Sequence, residues 1–300
     1  MSRRKRLNEV YRSAAKVIFD DSDRFILFSD CHRGDGSWAD DFSHNRNLFF
    51  YALQKYYEEG YTYIEIGDGD ELWENRRFEE IRRNYSDIFK LMREFHLKKR
   101  LYMIWGNHDK ERKHRKAIEK TLRSYYDEKT GASVPLFDDI ALHEGLVLKY
   151  LPAGNTVFLV HGHQGDLFND TLWWLARFLS RTLWRPLQLA GVNDPTRPAQ
   201  NFHKRRRVER KILRWVSKEN QMTITGHTHR PRFPRPGLPP YFNDGSCVHP
   251  RSITGIEIVD GHILLIKWGV TTTEEGYLRI EKNILVGPEK LVYYFSMRST

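Results

Sequence analysis

Residues 65–74 read EIGDGDELWE, which places five carboxylates within ten positions, directly after the strand-like stretch 61–64. Carboxylates crowded at the end of a buried strand repel one another unless a positive group lies among them. The stretch therefore raises the question of what neutralises Asp68, Asp70 and Glu71. The neighbouring segments bear on this question, because other strand-like runs of the chain also end in polar residues.

The first half of the chain alternates short strand-like runs with longer helical segments. We predict strands over 24–28, 61–66 and 101–105, and helices over 43–58 and 75–96. Strands that alternate with helices indicate βαβ units and a mostly parallel sheet. The three strands end in the polar clusters SDCH, GDGD and GNHD. In such a sheet the carboxyl ends of the strands line the ligand crevice, so these clusters should lie together.

The second half of the chain, after about residue 138, is dominated by strand-like runs such as NTVFLVHGH, MTITGHTH and HILLIKWGV. A second sheet packed against the first is the expected result. Two of these runs again end in polar clusters, HGH at 161–163 and GHTH at 226–229. Ionisable or amide side chains therefore follow five strands in succession.

The side chains at these strand ends mix carboxylate, carboxamide and imidazole. That mixture suits borderline divalent metals such as Mn, Fe, Zn or Co. Cysteine does not dominate the set, which argues against a structural zinc site. The two side chains of a D-x-H or H-x-H pair point to one side, because alternate residues share a face. The residues collected at these strand ends are Asp30, His32, Asp68, Asn107, His108, His161, His227 and His229.

The motifs resemble those of the calcineurin-like metallophosphoesterases, D-x-H, G-D-x-x-[DE], G-N-H-[DE], H and G-H-x-H. This chain has DCH at 30–32, GDGDE at 67–71, GNHD at 106–109, a histidine within VHGH, and GHTH at 226–229. The resemblance implies an α/β fold, a four-layer α/β/β/α sandwich with two metals at the sheet edges. It also implies a metal-dependent enzyme that hydrolyses a phosphodiester or pyrophosphate bond.

The resemblance further implies how the ligands divide between the two metals. One metal would be held by Asp30, His32, Asp68 and His229. The other would be held by Asp68, Asn107, His161 and His227. Two divalent cations bridged by one carboxylate would neutralise the acidic stretch. We expect manganese at both positions, with Fe, Zn and Co as alternatives.

Two ligand assignments stay open. GDGDE can be parsed with either Asp68 or Asp70 as the bridge, and HGH can supply either His161 or His163. We favour Asp68 and His161, because each directly follows its strand and fits the family pattern. His163 is then a neighbour of the site.

Phosphoryl transfer also needs a proton for the leaving oxygen. His108 is the candidate donor, since it follows Asn107 and should face the open side of the metals. Asp109 or Asp70 would orient its imidazole, as carboxylates behind catalytic histidines commonly do. Arg33, next to the first ligand pair, is a candidate contact for the substrate phosphate.

A basic, tryptophan-rich insertion occupies residues 164–220, with twelve Lys or Arg against five Asp or Glu. Arg177, Arg181 and Arg185 recur every four positions, so they form one cationic stripe on a predicted helix that ends or kinks at Pro186. A turn and a second basic helix follow, the latter carrying KRRR and Trp215.

The insertion has two interpretations. It is either a helical hairpin packed on the sandwich with solvated arginines, or a helical cap over the metals whose arginines and aromatic residues bind substrate. A cationic, aromatic surface suits an amphiphile with an anionic head, or an anionic membrane surface. The insertion also resembles that of the UDP-diacylglucosamine pyrophosphatase branch of the family, which cleaves a diphosphate in a lipid-linked nucleotide sugar.

The composition of the chain sets further expectations. A formal net charge of +10 predicts an anionic partner, here a phosphate-containing small molecule or a lipid-linked substrate. Two cysteines, Cys31 and Cys247, cannot form a disulfide framework, which fits a reducing cytoplasm. We therefore expect a cytoplasmic protein, with peripheral contact at the inner face of the membrane as a second possibility. We divide the chain into a basic N-terminal helix or extension at 1–20, exposed to solvent, and one domain at 21–300 that contains the cap.

Two other functions compete with the leading one. A nuclease or cyclic-nucleotide phosphodiesterase would use the stretch KRRRVERK to follow a phosphate backbone, which makes nucleic acid a second partner class. A membrane-associated adaptor would keep the fold without catalysis. Against the adaptor, the chain has every ligand that the motifs require. The sequence makes no prediction of oligomeric state.

Overall fold

The structure, a computed structural model, describes residues 3–127, 129–186 and 202–295. The helices in these ranges are α1 (Arg3–Ser13), α2 (Arg46–Glu58), α3 (Phe78–Asn84), α4 (Ser86–Leu97), α5 (Arg115–Thr121), α6 (Trp173–Leu179) and α7 (Phe202–Glu219). The strands are β1 (Ala15–Phe19), β2 (Phe25–Phe28), β3 (Thr62–Ile66), β4 (Leu101–Ile104), β5 (Ser124–Asp127), β6 (Ala132–Pro135), β7 (Leu142–His143), β8 (Gly145–Tyr150), β9 (Thr156–Val160), β10 (Met222–Thr225), β11 (Tyr241–Asn243), β12 (Ser252–Val259), β13 (His262–Thr272) and β14 (Leu278–Lys290).

Two sheets form the centre of the molecule. The first has seven strands in the order β14-β13-β12-β2-β3-β4-β7, and its β2, β3, β4 and β7 are parallel. The second has five strands in the order β1-β8-β9-β10-β11, and its β9, β10 and β11 are parallel. The predicted βαβ arrangement of the first half is present, since α2 connects β2 to β3, and α3 with α4 connects β3 to β4.

Three apolar interfaces separate four layers. The first joins α2 and α4 to the seven-stranded sheet, the second lies between the sheets, and the third joins α1 and α7 to the five-stranded sheet. Buried members of the three, in that order, are Phe49 and Tyr63, Ile64 and Leu159, and Val10 and Phe158. Neighbouring residues of β3 face different interfaces, as alternation along a strand requires. The predicted four-layer α/β/β/α architecture is confirmed.

The N-terminal segment differs from the exposed extension that we predicted. Leu7 and Val10 of α1 are buried against the five-stranded sheet, and Arg3 is only 7% exposed. Residues 15–19 form β1, an edge strand that pairs in parallel with β8. The apolar face of α1 explains the difference, because it covers part of a sheet that would otherwise meet water.

The middle of the chain contains two further differences. The predicted helix over 75–96 is divided into α3 and α4 at Tyr85, whose hydroxyl donates to Asp40 Oδ2 over 2.6 Å. The short antiparallel hairpin of β5 and β6 was not predicted. Both features lie away from the carboxyl ends of the central strands.

The cap begins with a π-helical turn at Leu167–Thr171, continues as α6, and has a second π-helical turn at Ser180–Trp184. The turn predicted between the two basic helices falls within 187–201, outside the described residues. The second basic helix is α7, which packs on the five-stranded sheet through Val208, Ile212 and Trp215. Among the described helices, none combines the length and apolar character needed to cross a membrane.

Candidate metal centre

The candidate ligands lie where the central strands of both sheets end. Residues 30 and 32 follow β2, residue 68 follows β3, and residue 107 follows β4. From the other sheet, residue 161 follows β9, and residues 227 and 229 follow β10. The carboxyl ends of these parallel strands point to one edge of the sandwich, so all seven positions converge there.

The backbone at these positions is unusual for residues other than glycine. Asp30, His32 and Asp68 have φ values of 51°, 49° and 51°, and His227 and His229 have 67° and 53°. A positive φ costs a residue with a Cβ on the order of 1–3 kcal/mol and persists only where the surroundings enforce it. The strain turns the chain sharply after each strand and directs the side chains inward.

Two motif positions require glycine because neighbouring side chains lie very close to the backbone there. A Cβ on Gly106 would lie 2.1 Å from Asp68 Oδ1, and one on Gly226 would lie 2.2 Å from Ser29 Oγ and 2.6 Å from Asp30 Oδ2. These distances are far inside van der Waals contact. The glycines of GNHD and GHTH therefore leave room for the carboxylates of the first and second motifs.

Asp30, His32 and His229 form one group of potential ligands, whose ligand atoms lie within 4.8 Å of one another. Asp30 Oδ2 accepts hydrogen bonds from Ser29 Oγ at 2.5 Å and from the His227 backbone N–H at 2.7 Å. Its other oxygen, Oδ1, lies 3.0 Å from His229 Nε2 and 3.7 Å from His32 Nε2. One oxygen is thus held by the protein while the other faces the imidazoles.

Asp68, His161 and His227 form the second group, again within 4.8 Å. Asp68 Oδ1 accepts the backbone N–H of His108 at 2.8 Å, and Oδ2 lies 3.1 Å from His161 Nε2. The same Oδ2 lies 3.8 Å from His32 Nε2, which belongs to the first group. Asp68 therefore lies between the two groups, as the bridging assignment requires.

Buried polar atoms without partners test whether these residues fit a metal. Among the described residues, Asn107 Oδ1 and His227 Nε2 have no hydrogen-bond partner, although both atoms are buried. A buried polar atom left unpaired costs free energy, so such atoms in a cluster indicate a missing ion or water. His161 donates from Nδ1 to the Ile66 carbonyl at 2.8 Å, which leaves its Nε2 for a metal. The residues fit divalent cations.

The electrostatics of the centre also favour bound cations. Burial alone would raise the pKa of Asp30, but the neighbouring His229 and His161 outweigh burial and hold it well below its usual range. Burial alone would lower the pKa of His161, but Asp68 and Asp30 raise it to about 9. A positive charge is therefore favoured among the carboxylates. Bound dications would supply that charge in place of the proton on His161.

A family model described as calcineurin-like phosphoesterase matches residues 23–231 of the chain. The chain belongs to the calcineurin-like phosphoesterase family. No curated protein matches this phosphoesterase. A solved structure, Chaetomium thermophilum Vps29, is similar at 9% sequence identity and a TM-score of 0.40, covering 88% of this chain and 96% of that one. Metal-dependent phosphoester hydrolysis is the general activity of the family, whereas the proposed pyrophosphatase branch gains no support from these comparisons.

His108 lies beside the first ligand group of the phosphoesterase. Its Nδ1 is 2.8 Å from Glu71 Oε1, and its ring stacks on Trp73 at a centroid distance of 4.2 Å and an interplanar angle of 22°. Glu71 Oε2 also lies 2.9 Å from His32 Nδ1. Burial would raise the pKa of Glu71, but His108 and His32 together hold it well below its ordinary value. Glu71 therefore orients one candidate ligand and the candidate acid at once.

The structure corrects the predicted partners of His108. Asp70 Oδ1 accepts from Arg33 Nε at 2.6 Å, and its other oxygen pairs with Arg112. Asp109 accepts the backbone N–H of Gly106 at 2.6 Å, so it supports the loop. Neither carboxylate contacts the imidazole, because Glu71 occupies that position.

The expectation that Arg33 contacts substrate is wrong. Its side chain is fully buried and forms a bidentate pair with Glu65, at 2.7 and 3.0 Å, besides its bond to Asp70. The opening question thus has three answers in the structure. Asp70 is neutralised by two arginines, Glu71 by two imidazoles, and Asp68 by His161, to which cations bound at this site would add.

The three cap arginines contact the core of the phosphoesterase. Arg177 pairs with Glu111 at 2.7 Å. Arg181 donates to the backbone carbonyls of Leu72, Trp73 and Asn75, and Arg185 donates to the carbonyl of Glu74 and pairs with Asp35. These contacts differ from the substrate contacts that we predicted, and those of Arg181 and Arg185 tie the cap to the loop that follows Glu71.

The sequence analysis missed two supporting residues. Asp244 is fully buried behind Asp30, with Oδ1 2.7 Å from Ser29 Oγ, and it follows β11, so the strand-end pattern signals it. Trp73 was not considered, and no local pattern connects it to His108. Cys31 and Cys247 are buried, as expected of small core residues.

Proposed function

We propose that this phosphoesterase hydrolyses a phosphodiester or pyrophosphate bond with two divalent cations held by its two ligand groups. The observation that carries the proposal is Asp68 Oδ2, which lies 3.1 Å from His161 Nε2 and 3.8 Å from His32 Nε2, one imidazole from each group. Asp30, His32 and His229 would hold one cation and Asp68, His161 and His227 the other, and the pair would supply an activated water and positive charge for the phosphoryl oxygens.

The chain's own residues supply the other requirements of the reaction. His108 protonates the leaving oxygen, and Glu71 fixes the orientation of its ring through Nδ1, which leaves Nε2 directed to the reacting group. The site is polar and most of its ligands are buried, so substrate charges interact strongly with it. We assign the metals to manganese on the mixed oxygen and nitrogen donors, with Fe, Zn and Co as alternatives.

For the substrate, we propose an amphiphilic or nucleotide-containing phosphate compound, such as a lipid-linked diphosphate. The cap supports this class, because Trp174 and Phe178 of α6 are each 59% exposed and Leu179 is 41% exposed. Large apolar side chains exposed together on one short helix favour contact with a hydrocarbon chain or a membrane surface. The net charge of +10 favours an anionic head group.

The test is a substrate screen on metal-supplemented protein. Bis-aryl phosphodiesters, aryl monoesters, nucleotide sugars and lipid-linked diphosphates are assayed with Mn, Zn and Co. We expect turnover of diesters or diphosphates that depends on metal, with the acylated diphosphate preferred over its deacylated form. Metal binding without turnover of any substrate would favour the adaptor, and a steep fall of nucleic-acid affinity with salt would favour the nuclease.

His108→Ala provides the mechanistic control in the same screen. The substitution should lower turnover on the order of 10²-fold or more, the usual contribution of a general acid, while both cations stay bound. Metal content is measured by elemental analysis after dialysis. Unchanged turnover of substrates with poor leaving groups would remove His108 from the mechanism.

A further inference from the structure

We propose that the cap positions His108 through Trp73, so that docking of the cap on the core prepares the proton donor. The inference rests on the proposed function, because it assigns His108 the role of general acid. It deepens that function by giving Arg181 and Trp73 the role of positioning residues. His108 is linked to the cap through the Trp73 indole and the loop that carries this residue.

The first step is the environment of the His108 ring. One edge is fixed by Glu71 at 2.8 Å, and one face is covered by the Trp73 indole at a centroid distance of 4.2 Å. Trp73 is only 6% exposed, and its Nε1 has no hydrogen-bond partner among the described residues. The indole position therefore depends on stacking and on the backbone that carries it. If the indole were displaced, stacking would no longer hold the His108 ring, and the ring could then rotate about its hydrogen bond to Glu71.

The second step is the backbone that carries Trp73. Its N–H and that of Glu74 donate to Glu71 Oε1, at 3.2 and 3.3 Å. Asn75 Nδ2 donates to the Glu71 carbonyl at 2.9 Å. The donors of this loop are thus turned toward Glu71. Its carbonyl groups point the other way, toward the cap.

The third step is the contact with the cap. Arg181 donates to the carbonyls of Leu72, Trp73 and Asn75 at 2.9, 3.2 and 3.2 Å, and Arg185 donates to that of Glu74 at 2.7 Å. Four consecutive carbonyls are therefore satisfied by two arginines of one cap segment. Since backbone carbonyls in a partly buried loop need partners, removal of Arg181 should loosen the loop and the indole. The cap thereby controls the position of His108 through this loop.

The chemistry makes this inference testable. Water attacks phosphorus while the bond to the leaving oxygen breaks, and the leaving oxygen keeps the bonding electron pair and takes a proton from His108. The attacking water releases a proton to solvent, from which His108 is later reprotonated. A dinitrophenolate leaves without a proton, whereas a phenolate gains from one. Misplacement of His108 should therefore affect phenyl esters selectively.

The experiment compares methyl phenyl phosphate with methyl dinitrophenyl phosphate in the full-length, metal-supplemented chain. In Arg181→Ala and Trp73→Leu, kcat for the phenyl ester should fall toward the roughly 10²-fold contribution of a general acid, with little change for the dinitrophenyl ester. Trp73→Phe, which keeps an aromatic face, should restore much of the loss. Arg177→Ala is the matched control, because it removes a cap contact that does not involve the loop.

A second readout does not depend on turnover. Nuclear Overhauser contacts between the Trp73 indole and the His108 ring should weaken in Arg181→Ala and persist in Arg177→Ala. Equal losses on both esters, or unchanged contacts in Arg181→Ala, would overturn the inference. If the wild type hydrolyses neither ester, the phosphodiester form of the proposed function fails, and the ring contacts still decide whether the cap positions the imidazole.

Discussion

The metal centre and the cap are built in different ways, although they touch. Candidate ligands such as Asp30 and His161 are fully buried, and each has a second atom held by a hydrogen bond from the protein. On the cap, Trp174 and Phe178 are 59% exposed, and Arg181 and Arg185 join this segment to the core. A geometry enforced from several sides suits a fixed reaction, whereas an exposed apolar surface suits recognition of a variable molecule.

The arginines of the two regions show the same contrast. Arg33 and Arg112 are at most 1% exposed and are paired with buried carboxylates behind the ligands. Arg177 of the cap pairs with Glu111 through side chains that are 24% and 29% exposed. Buried pairs are costly to break because an unpaired charge remains, while exposed pairs are weak. The reaction class should therefore be more robust to surface change than the substrate preference.

Asp68→Asn tests the centre most severely, since Asp68 lies between the two ligand groups and is the proposed bridge. The loss of a bridging carboxylate should release metal from both positions and remove several kcal/mol of transition-state stabilisation, so turnover is abolished. Elemental analysis of the dialysed, metal-supplemented variant measures the metal, and circular dichroism verifies the fold.

The matched control for this variant is Asp170→Asn, which changes a partly buried carboxylate that pairs with Lys110 outside the ligand groups. It should retain both metals. Full metal content in Asp68→Asn would refute the bridging assignment, and loss of a single equivalent would restrict Asp68 to one cation.

Arg33→Ala tests whether the acidic stretch needs its buried arginine for stability. Removal of one member of a buried charge network leaves carboxylates unpaired and typically lowers the free energy of unfolding by about 3–5 kcal/mol. Arg279→Ala, which breaks an exposed pair with Glu281, should lower it by at most about 1 kcal/mol. Urea unfolding of both variants gives the comparison. Similar values for the two would show that the network behind the ligands contributes little to stability.

The strand ends of the core were predictable from sequence because local pattern and topology agree there. Short apolar runs followed by polar clusters predicted β2, β3, β4, β9 and β10, and parallel strands bring their carboxyl ends together without further information. The clustering of residues such as Asp30 and His229, which are far apart in the chain, follows from that rule.

The contacts of the arginines were not predictable in the same way. Arg33 was assigned to substrate because of its neighbour in the motif, but Glu65 in the middle of an apolar strand signals a buried cation that only the packing identifies. The four-residue spacing of Arg177, Arg181 and Arg185 predicts a common face without predicting what that face meets. Docking on the loop after Glu71 depends on tertiary structure, as does the burial of α1.

Glu71→Gln should have the smallest of these effects, and it separates positioning from charge. The carboxylate lies within hydrogen-bond distance of Nδ1 of both His32 and His108, at 2.9 and 2.8 Å, whereas an amide has one oxygen acceptor and would leave one imidazole without its partner. Supporting groups of this kind are typically worth about 10–100-fold in metal affinity or activity. Metal titration and turnover of a phenyl ester measure the two histidines separately.

Glu257→Gln is the matched control for this variant, because Glu257 is also a buried carboxylate with two partners, Tyr56 and Lys282, on a strand away from the ligands. It should lower stability and leave metal affinity unchanged. If both variants lose metal affinity equally, the effect of Glu71 is one of general stability, and the distinction between a centre enforced by its surroundings and a cap with an exposed apolar surface loses its main support. A loss confined to Glu71→Gln would place the boundary between the two regions at the loop that follows this residue.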